Sequence, residues 1–228
     1  MFKHIKFLLI PAALAFCNVA WGAVITTETF SIDEAGFSAN TISGVLVHVG
    51  SGGNPDGHIQ VRRDLGEPFF DLGALSTNSR FTGNYAADGI TGFTVDLNFH
   101  TDNFEAAFFR VRIDSSTNGW LFPLTNAFGT NTWNTYAFSF DPTWSDSDAR
   151  NAGWVTDQDR DALAIASPAF ATVMASVGYA EVRLGNSAQT SALAGIDNFG
   201  LTGVPEPSSI ALTALGLGLV TLKLIRRR

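Results

Sequence analysis

Alternating hydrophobic and polar residues mark most of the chain between residues 23 and 203. Residues 93–99 alternate strictly, and so do residues 109–113. A period of two is typical of a strand with one packed face and one face in water. Similar runs, rich in Val, Ile, Thr and Phe and bounded by turn residues, predict eight strands, at residues 24–30, 41–49, 58–64, 90–100, 106–113, 135–140, 179–184 and 196–201.

A single helix is predicted near residue 170, where apolar residues recur at helical spacing. Ser167 is suited to cap it, Pro168 to its first position, and Gly178 to its end. Many short strands, one short helix and abundant turn residues together predict an all-β antiparallel sandwich.

The N-terminus has the pattern of a secretory signal peptide over residues 1–22. Lys3 and Lys6 precede an apolar run, and small residues at Ala20 and Gly22 place the cleavage after Gly22. A lipoprotein site at Cys17 is the minor alternative, because the bulky Phe16 stands where a small residue is needed.

The C-terminus combines an apolar segment with a basic end. We predict a transmembrane helix over residues 208–225, although its core from Ile210 to Ile225 is short for a hydrocarbon layer about 30 Å thick. The positive-inside rule places the basic end in the cytoplasm and residues 23–203 outside the membrane. The basic residues are Lys223, Arg226, Arg227 and Arg228.

The three residues Pro205, Glu206 and Pro207 directly precede this segment. Motif, apolar segment and basic end together resemble the PEP-CTERM sorting signal of Gram-negative bacteria, over residues 204–228. The resemblance implies that an exosortase, an integral-membrane cysteine peptidase, removes the tail after transient anchoring in the inner membrane, and that the protein reaches the cell surface or exterior. An ordinary single-span anchor after a Pro-rich linker is the alternative.

Charge and cysteine content narrow the properties of the exported part, residues 23–203. Cys17 is the only cysteine, so disulfides are excluded once the signal peptide is removed. The formal net charge of this part is −12, because eight arginines and no lysine face 20 carboxylates. Nucleic acid and anionic lipid are therefore unfavourable partners, whereas cations and neutral glycans are compatible.

Three segments occur in a recognisable order at residues 33–37, 52–59 and 194–201. Their order resembles that of laminin IV-type and carbohydrate-binding-module-like jelly rolls of the galactose-binding-like class. The resemblance implies a structural calcium ion on Asp197, shared with the first strand and a loop. The ligand set would be Glu28, Asp33, Asn54, Asp56 and Asp197. The alternative is that Asp197 only accepts hydrogen bonds from local backbone groups.

Aromatic residues are candidates for stacking on sugar rings. Of the tryptophans between residues 120 and 154, Trp144 and Trp154 lie among polar residues and are the predicted ligand-binding rings. The acidic segment 157–161 lacks the residues of a calcium-binding EF-hand and is expected to be a solvated turn.

No catalytic residues are predicted. The histidines of the exported part, His48, His58 and His100, lack metal-ligand spacing. We therefore expect a non-catalytic binder or structural component of an extracellular polysaccharide or biofilm matrix. A polysaccharide-active enzyme of the glycosidase type and a purely structural surface protein are the alternatives.

Overall fold

The computed structural model describes residues 23–40, 44–64, 71–125, 128–161, 165–186 and 191–203. The predicted signal peptide, the Pro-Glu-Pro motif, the basic end and the predicted transmembrane helix lie outside the described residues. Within them, no helix combines the length and the apolar character needed to cross a membrane.

Strands make up about half of this part of the chain. In chain order they are β1 (Ala23–Glu28), β2 (Phe37–Ala39), β3 (Val45–Val49), β4 (His58–Arg63), β5 (Asp71–Ser76), β6 (Ile90–Phe99), β7 (Phe104–Arg112), β8 (Trp120–Thr125), β9 (Trp133–Ser139), β10 (Val155–Thr156), β11 (Tyr179–Asn186) and β12 (Ala192–Gly203). The helices are α1 (Asp146–Asn151), α2 (Asp157–Asp161) and α3 (Phe170–Met174).

The strands form two antiparallel sheets. The first has the order β3-β4-β12-β6-β9, and β1 also pairs with β12. The second has the order β10-β8-β7-β11-β5-β2. The predicted all-β sandwich is confirmed.

Phenylalanine side chains join the two sheets. Phe93 of the first sheet stacks on Phe109 of the second with ring centroids 4.0 Å apart. Phe199 makes edge contacts with Phe93 and Phe37, each at 5.0 Å. Each such pair of rings adds about 0.5–1.5 kcal/mol to the free energy of unfolding, beyond the contribution of the buried area. In a chain without disulfides, this aromatic core holds the two sheets together.

All eight predicted strands are present, and four further strands were not predicted. β2 and β10 are only three and two residues long. Gly73 interrupts the pattern of β5, and Pro123 that of β8. Short or interrupted strands carry too little alternation to be recognised.

The predicted start of the helix is wrong. α3 begins at Phe170 with Ala169 as its N-cap, and Ser167 instead donates its hydroxyl to the carbonyl of Gly119 (3.0 Å). The backbone N–H of Phe170 is satisfied by a carboxylate oxygen of Asp146, from α1, at 2.7 Å. A tertiary contact therefore replaces the local cap.

The expected water-facing sides of the alternating strands are also wrong. Asp96 and Asn98 of β6 are 3% and 7% exposed. The side chains of Arg110 and Arg112 of β7 are 14% and 13% exposed. Part of each polar face is covered by residues distant in sequence.

Candidate functional site

Asp197 lies where β12 changes its neighbour. β12 pairs with β4 up to Ile196 and with β1 from Phe199 onward. Between these positions the register with β6 shifts, and Asn198 has a left-handed φ of 48°, a conformation that asparagine tolerates better than most residues. The change of partner leaves space at the sheet surface for a loop.

The loop of residues 51–57 occupies that space. Asn54 donates its backbone N–H to Asp197 Oδ2 (2.6 Å) and its side-chain amide to Asp96 Oδ2 (2.9 Å). Asp96 stands directly opposite Asp197 in the sheet and also accepts from the amide of Asn198 (2.6 Å). Gly53 is required here, since a Cβ on it would lie 2.7 Å from Asp197 Oδ2. We call Asn54, Asp96, Asp197 and Asn198 the carboxylate pair site.

Two neighbouring carboxylates are thus withdrawn from water. Asp197 is 0% exposed, and among the described residues no arginine donates to it or to Asp96. Burial raises the pKa of Asp197 to about 6; the negative charges of Asp96 and Asp56 raise it too, while backbone N–H donors partly oppose the shift. The site is therefore short of positive charge.

The structure divides the predicted calcium ligands. Asn54 and Asp197 are in contact, and the charge of Asp56 acts on Asp197. Glu28 instead accepts from Arg80 Nη1 (2.7 Å), and Asp33 accepts from the backbone N–H of Ala35 (2.8 Å). Glu28, Asp33 and Arg80 line a surface hollow of about 330 Å³. In the described part of the chain, no three or more His, Cys, Asp or Glu residues form a ready metal site.

Asp96 was missed by the sequence reasoning. The alternation of residues 93–99 places Asp96 on the outer face of β6. Because β6 and β12 are neighbours and Asp96 stands opposite Asp197, both side chains lie on the same face of the sheet. The neighbour relation itself has no local sequence signal.

A flat aromatic surface lies beside this site on the same face of the first sheet. The indole N–H of Trp133 donates to the carbonyl of Gly52 at 2.9 Å. The ring covers Gly195, where a Cβ would come within 2.8 Å of Trp133 Cη2, and its centroid is 5.3 Å from that of His58. The ring is half-buried and held in one orientation.

Strand register defines the surroundings of this ring. One row of directly opposed residues crosses five strands, and we call it the Trp133 platform: Trp133, Asn98, Gly195, Gln60 and Val47. Val47 is 42% exposed at one end.

The platform carries no positive charge. Burial lowers the pKa of the neighbouring His58, and the proximity of His100 and His48 lowers it further, so the imidazole is neutral at pH 7. Asn98 Oδ1 is buried and accepts no hydrogen bond from the described residues.

The expectation that Trp154 is an exposed stacking ring is wrong. Trp154 is 1% exposed and contacts the rings of Phe170 (5.0 Å) and Phe122 (5.5 Å). The polar residues near it in sequence belong to α1 and β10, and the Trp154 ring between these two elements lies in the core. Trp144 is half-buried, with its ring 6.3 Å from that of Phe170, so its role as a ligand-binding ring stays a prediction.

The outer side of the second sheet carries a charge cluster. We call it the arginine network, and its members are Asp71, Arg110, Arg112, Asp157, Arg160, Asp161, Glu181 and Arg183. Four positive and four negative charges balance. The charges of Glu181 and Asp157 raise the pKa of Arg110, although burial opposes them.

Asp157 is the centre of this network. It is fully buried, and its Oδ2 accepts from Arg110 Nη2 (2.7 Å) and from the backbone N–H of Gly119 (2.6 Å). Its Oδ1 accepts from Arg183 Nη1 at 3.1 Å. The expected solvated turn at residues 157–161 is therefore wrong: the segment forms α2 and is bound to the sheet by ion pairs.

Several solved structures similar to this chain are those of carbohydrate-binding or carbohydrate-degrading proteins. An exo-beta-agarase matches with a TM-score of 0.52 at 11% identity, over 80% of this chain and 26% of the agarase chain. The CBM22-1–GH10 part of the Clostridium thermocellum xylanase 10B, complexed with xylohexaose, has a TM-score of 0.49 at 12% identity and covers 80% of this chain and 29% of that one. This chain thus spans little more than a quarter of either protein. The agarase likeness shows a shared fold.

A third similar structure is a single module whose length is close to that of this chain. The family 11 carbohydrate-binding module of Clostridium thermocellum, in complex with a beta-1,3-1,4-mixed-linked tetrasaccharide, has a TM-score of 0.49 at 11% identity, over 75% of this chain and 91% of the module.

The tail is identified by sequence. Residues 203–228 match the PEP-CTERM protein-sorting motif, which confirms the resemblance of the C-terminal segment and marks the chain for export and surface sorting. No curated protein matches the chain significantly.

Proposed function

We propose that this protein is exported and binds extracellular polysaccharide without cleaving it. The observation that carries the proposal is the Trp133 platform. A flat indole fixed on a sheet surface complements the C–H face of a pyranose ring, and the half-buried amide of Gln60 in the same row is suited to bond hydroxyls. Because the ring is already held by Gly52 and Gly195, little side-chain entropy is lost on binding.

We expect Trp133→Ala to weaken binding to the polysaccharide of the producing cells by about thirty-fold. Removal of a central aromatic anchor costs about 2 kcal/mol or more, which corresponds to that factor. Affinity gel electrophoresis of the exported protein measures it, with Trp133→Phe expected to retain part of the affinity.

Trp144→Ala is the matched control for this experiment and also tests the second candidate ring. Unchanged retention of Trp144→Ala beside a loss in Trp133→Ala supports the platform. The reverse pattern would assign binding to Trp144 and contradict the platform.

A bound calcium ion is a further part of the proposal. Among the described residues, the two buried acids of the carboxylate pair site have no cationic partner, and the carbonyl oxygen of Asn54 lies near them, since Asn198 donates its side-chain amide both to it and to Asp96. Calcium takes six to eight oxygens, and Asp56 is near enough to contribute charge. Glu28 and Asp33 would join this set only after leaving their present partners.

Processing at both ends completes the proposal. Signal peptidase would cut after Gly22, and an exosortase would recognise Pro205, Glu206 and Pro207. Until then residues 208–225 would anchor the chain in the inner membrane, with Lys223 and Arg226 to Arg228 on its cytoplasmic side. The sorting motif supports this order of events.

We expect the intact mass of the protein recovered from the cell exterior to correspond to a chain that begins at Ala23 and ends near Pro205. The apolar segment and basic end would then be missing. A mass that includes residues 208–228 would show permanent anchoring and contradict removal of the tail.

A polysaccharide-active enzyme is the second candidate. The raised pKa of Asp197 is the property of a general acid near neutral pH. Asp197 and Asp96 are however covered by the loop 51–57, so binding without cleavage is favoured. Release of reducing ends in the incubations of the binding experiment, abolished by Asp197→Asn, would establish the enzyme instead.

A further inference from the structure

The arginines of the exported part are either buried or paired with carboxylates. All eight lie among the described residues, and Lys is absent from this part of the sequence. Four belong to the arginine network, and Arg63 is fully buried. The exposed Arg80, Arg150 and Arg62 each lie within ion-pair distance of a carboxylate, on Glu28, Asp159 and Asp64 respectively.

Arg62 alone of these described arginines shares the outer face of the first sheet with the Trp133 platform. In register it stands opposite Val45 and Leu193. β12 and β6 separate its strand from that of Trp133, a distance of about 14 Å at the usual strand spacing. The platform therefore has no cation beside its aromatic ring.

The polar groups around the ring are acceptors or neutral amides. Gln60, half-buried in the same row, presents a neutral amide that can exchange hydrogen bonds with hydroxyl groups but offers an anion no compensating charge. The formal net charge of −12 on residues 23–203 opposes any approaching carboxylate or sulfate.

We propose that the Trp133 platform binds an uncharged polysaccharide and discriminates against chains that carry uronate or sulfate groups. This inference rests on the proposed function of polysaccharide binding and adds the chemical class of the ligand. A sugar ring of the ligand stacks on Trp133, and its hydroxyl groups form hydrogen bonds with the neighbouring amide. The negative charge of the protein repels acidic chains.

The test compares neutral and acidic polymers. The polysaccharide of the producing cells is separated by anion exchange into a neutral and an acidic fraction, and mixed-linkage β-glucan serves as a neutral probe and alginate as an acidic one. The exported protein is expected to bind the neutral fraction at least ten-fold more tightly than the acidic fraction. Raising sodium chloride from 50 to 500 mM is expected to change the neutral binding by less than about two-fold, because no ion pair is formed.

Two variants make the outcomes distinct. Trp133→Ala is expected to lose the neutral binding, and Arg62→Ala to retain it. Tighter binding of the acidic fraction or of alginate, above all if Arg62→Ala abolishes it, overturns this inference while the proposed function stands. Retention by none of the four polymers overturns both.

Discussion

Asp157→Asn is expected to lower the free energy of unfolding by about 3–5 kcal/mol. The substitution keeps the shape of the side chain but removes one negative charge of the arginine network, so that four arginines largely shielded from water face only three carboxylates, and breaking a buried ion pair in this way costs about this much. Arg110 and Arg183 would each lose their charge-assisted bond to Asp157, while the backbone N–H of Gly119 keeps a neutral acceptor. Urea unfolding of the exported protein, followed by tryptophan fluorescence, measures the change.

The matched control is Asp102→Asn, an identical chemical change at an exposed turn. It is expected to stay within about 0.5 kcal/mol of the parent protein. If Asp157→Asn falls within the same interval, the arginine network contributes little, and α2 must be held to the sheet by other contacts.

The sequence predicted the strands well because period-two alternation is a local signal. Phe93, Val95 and Phe109 point into the core as the pattern requires. The same pattern assigned Asp96 and Arg110 to water, because alternation separates two faces without showing what lies on the second one. On both sheets, part of that second face is covered by a distant segment.

Trp154 and Phe170 show the same limit from the other direction. Trp154 is surrounded by polar residues in sequence and by phenylalanine rings in space. The N-terminus of α3 is capped by Asp146, 24 residues earlier, although Ser167 is the better local candidate. Local propensity is overridden wherever a tertiary partner supplies the same hydrogen bond.

The carboxylate pair site could be anticipated only in part. Asn54 and Asp197 are 143 residues apart, and their pairing was expected solely from the resemblance to jelly rolls. Glu28 was assigned to the same ion by that resemblance, yet Arg80 binds its carboxylate in this chain. The particular partners of each carboxylate therefore depend on the complete fold.

Calcium is expected to raise the unfolding temperature of the parent protein by roughly 5–10 °C, and Asp197→Asn is expected to abolish the increase. At a concentration one hundred times the dissociation constant, an ion that binds only the folded state adds about 2.7 kcal/mol. Each kcal/mol shifts the midpoint of a domain of this size by about 2–4 °C. Calorimetry in calcium and in chelator measures the difference, with Asp102→Asn as the control that keeps the full response.

The dependence on pH distinguishes an ion site from a structural hydrogen bond. Because the pKa of Asp197 is about 6 in the folded protein and 3.8 is its ordinary value, folding favours the protonated acid. Without calcium, this residue's contribution to stability is present below about pH 4 and is lost as the pH rises through 6. The stability of Asp197→Asn relative to the parent should therefore increase across that interval, and the effect of calcium should grow with it. Parallel pH profiles for the two proteins, with no response to chelator, would show that Asp197 only accepts backbone hydrogen bonds.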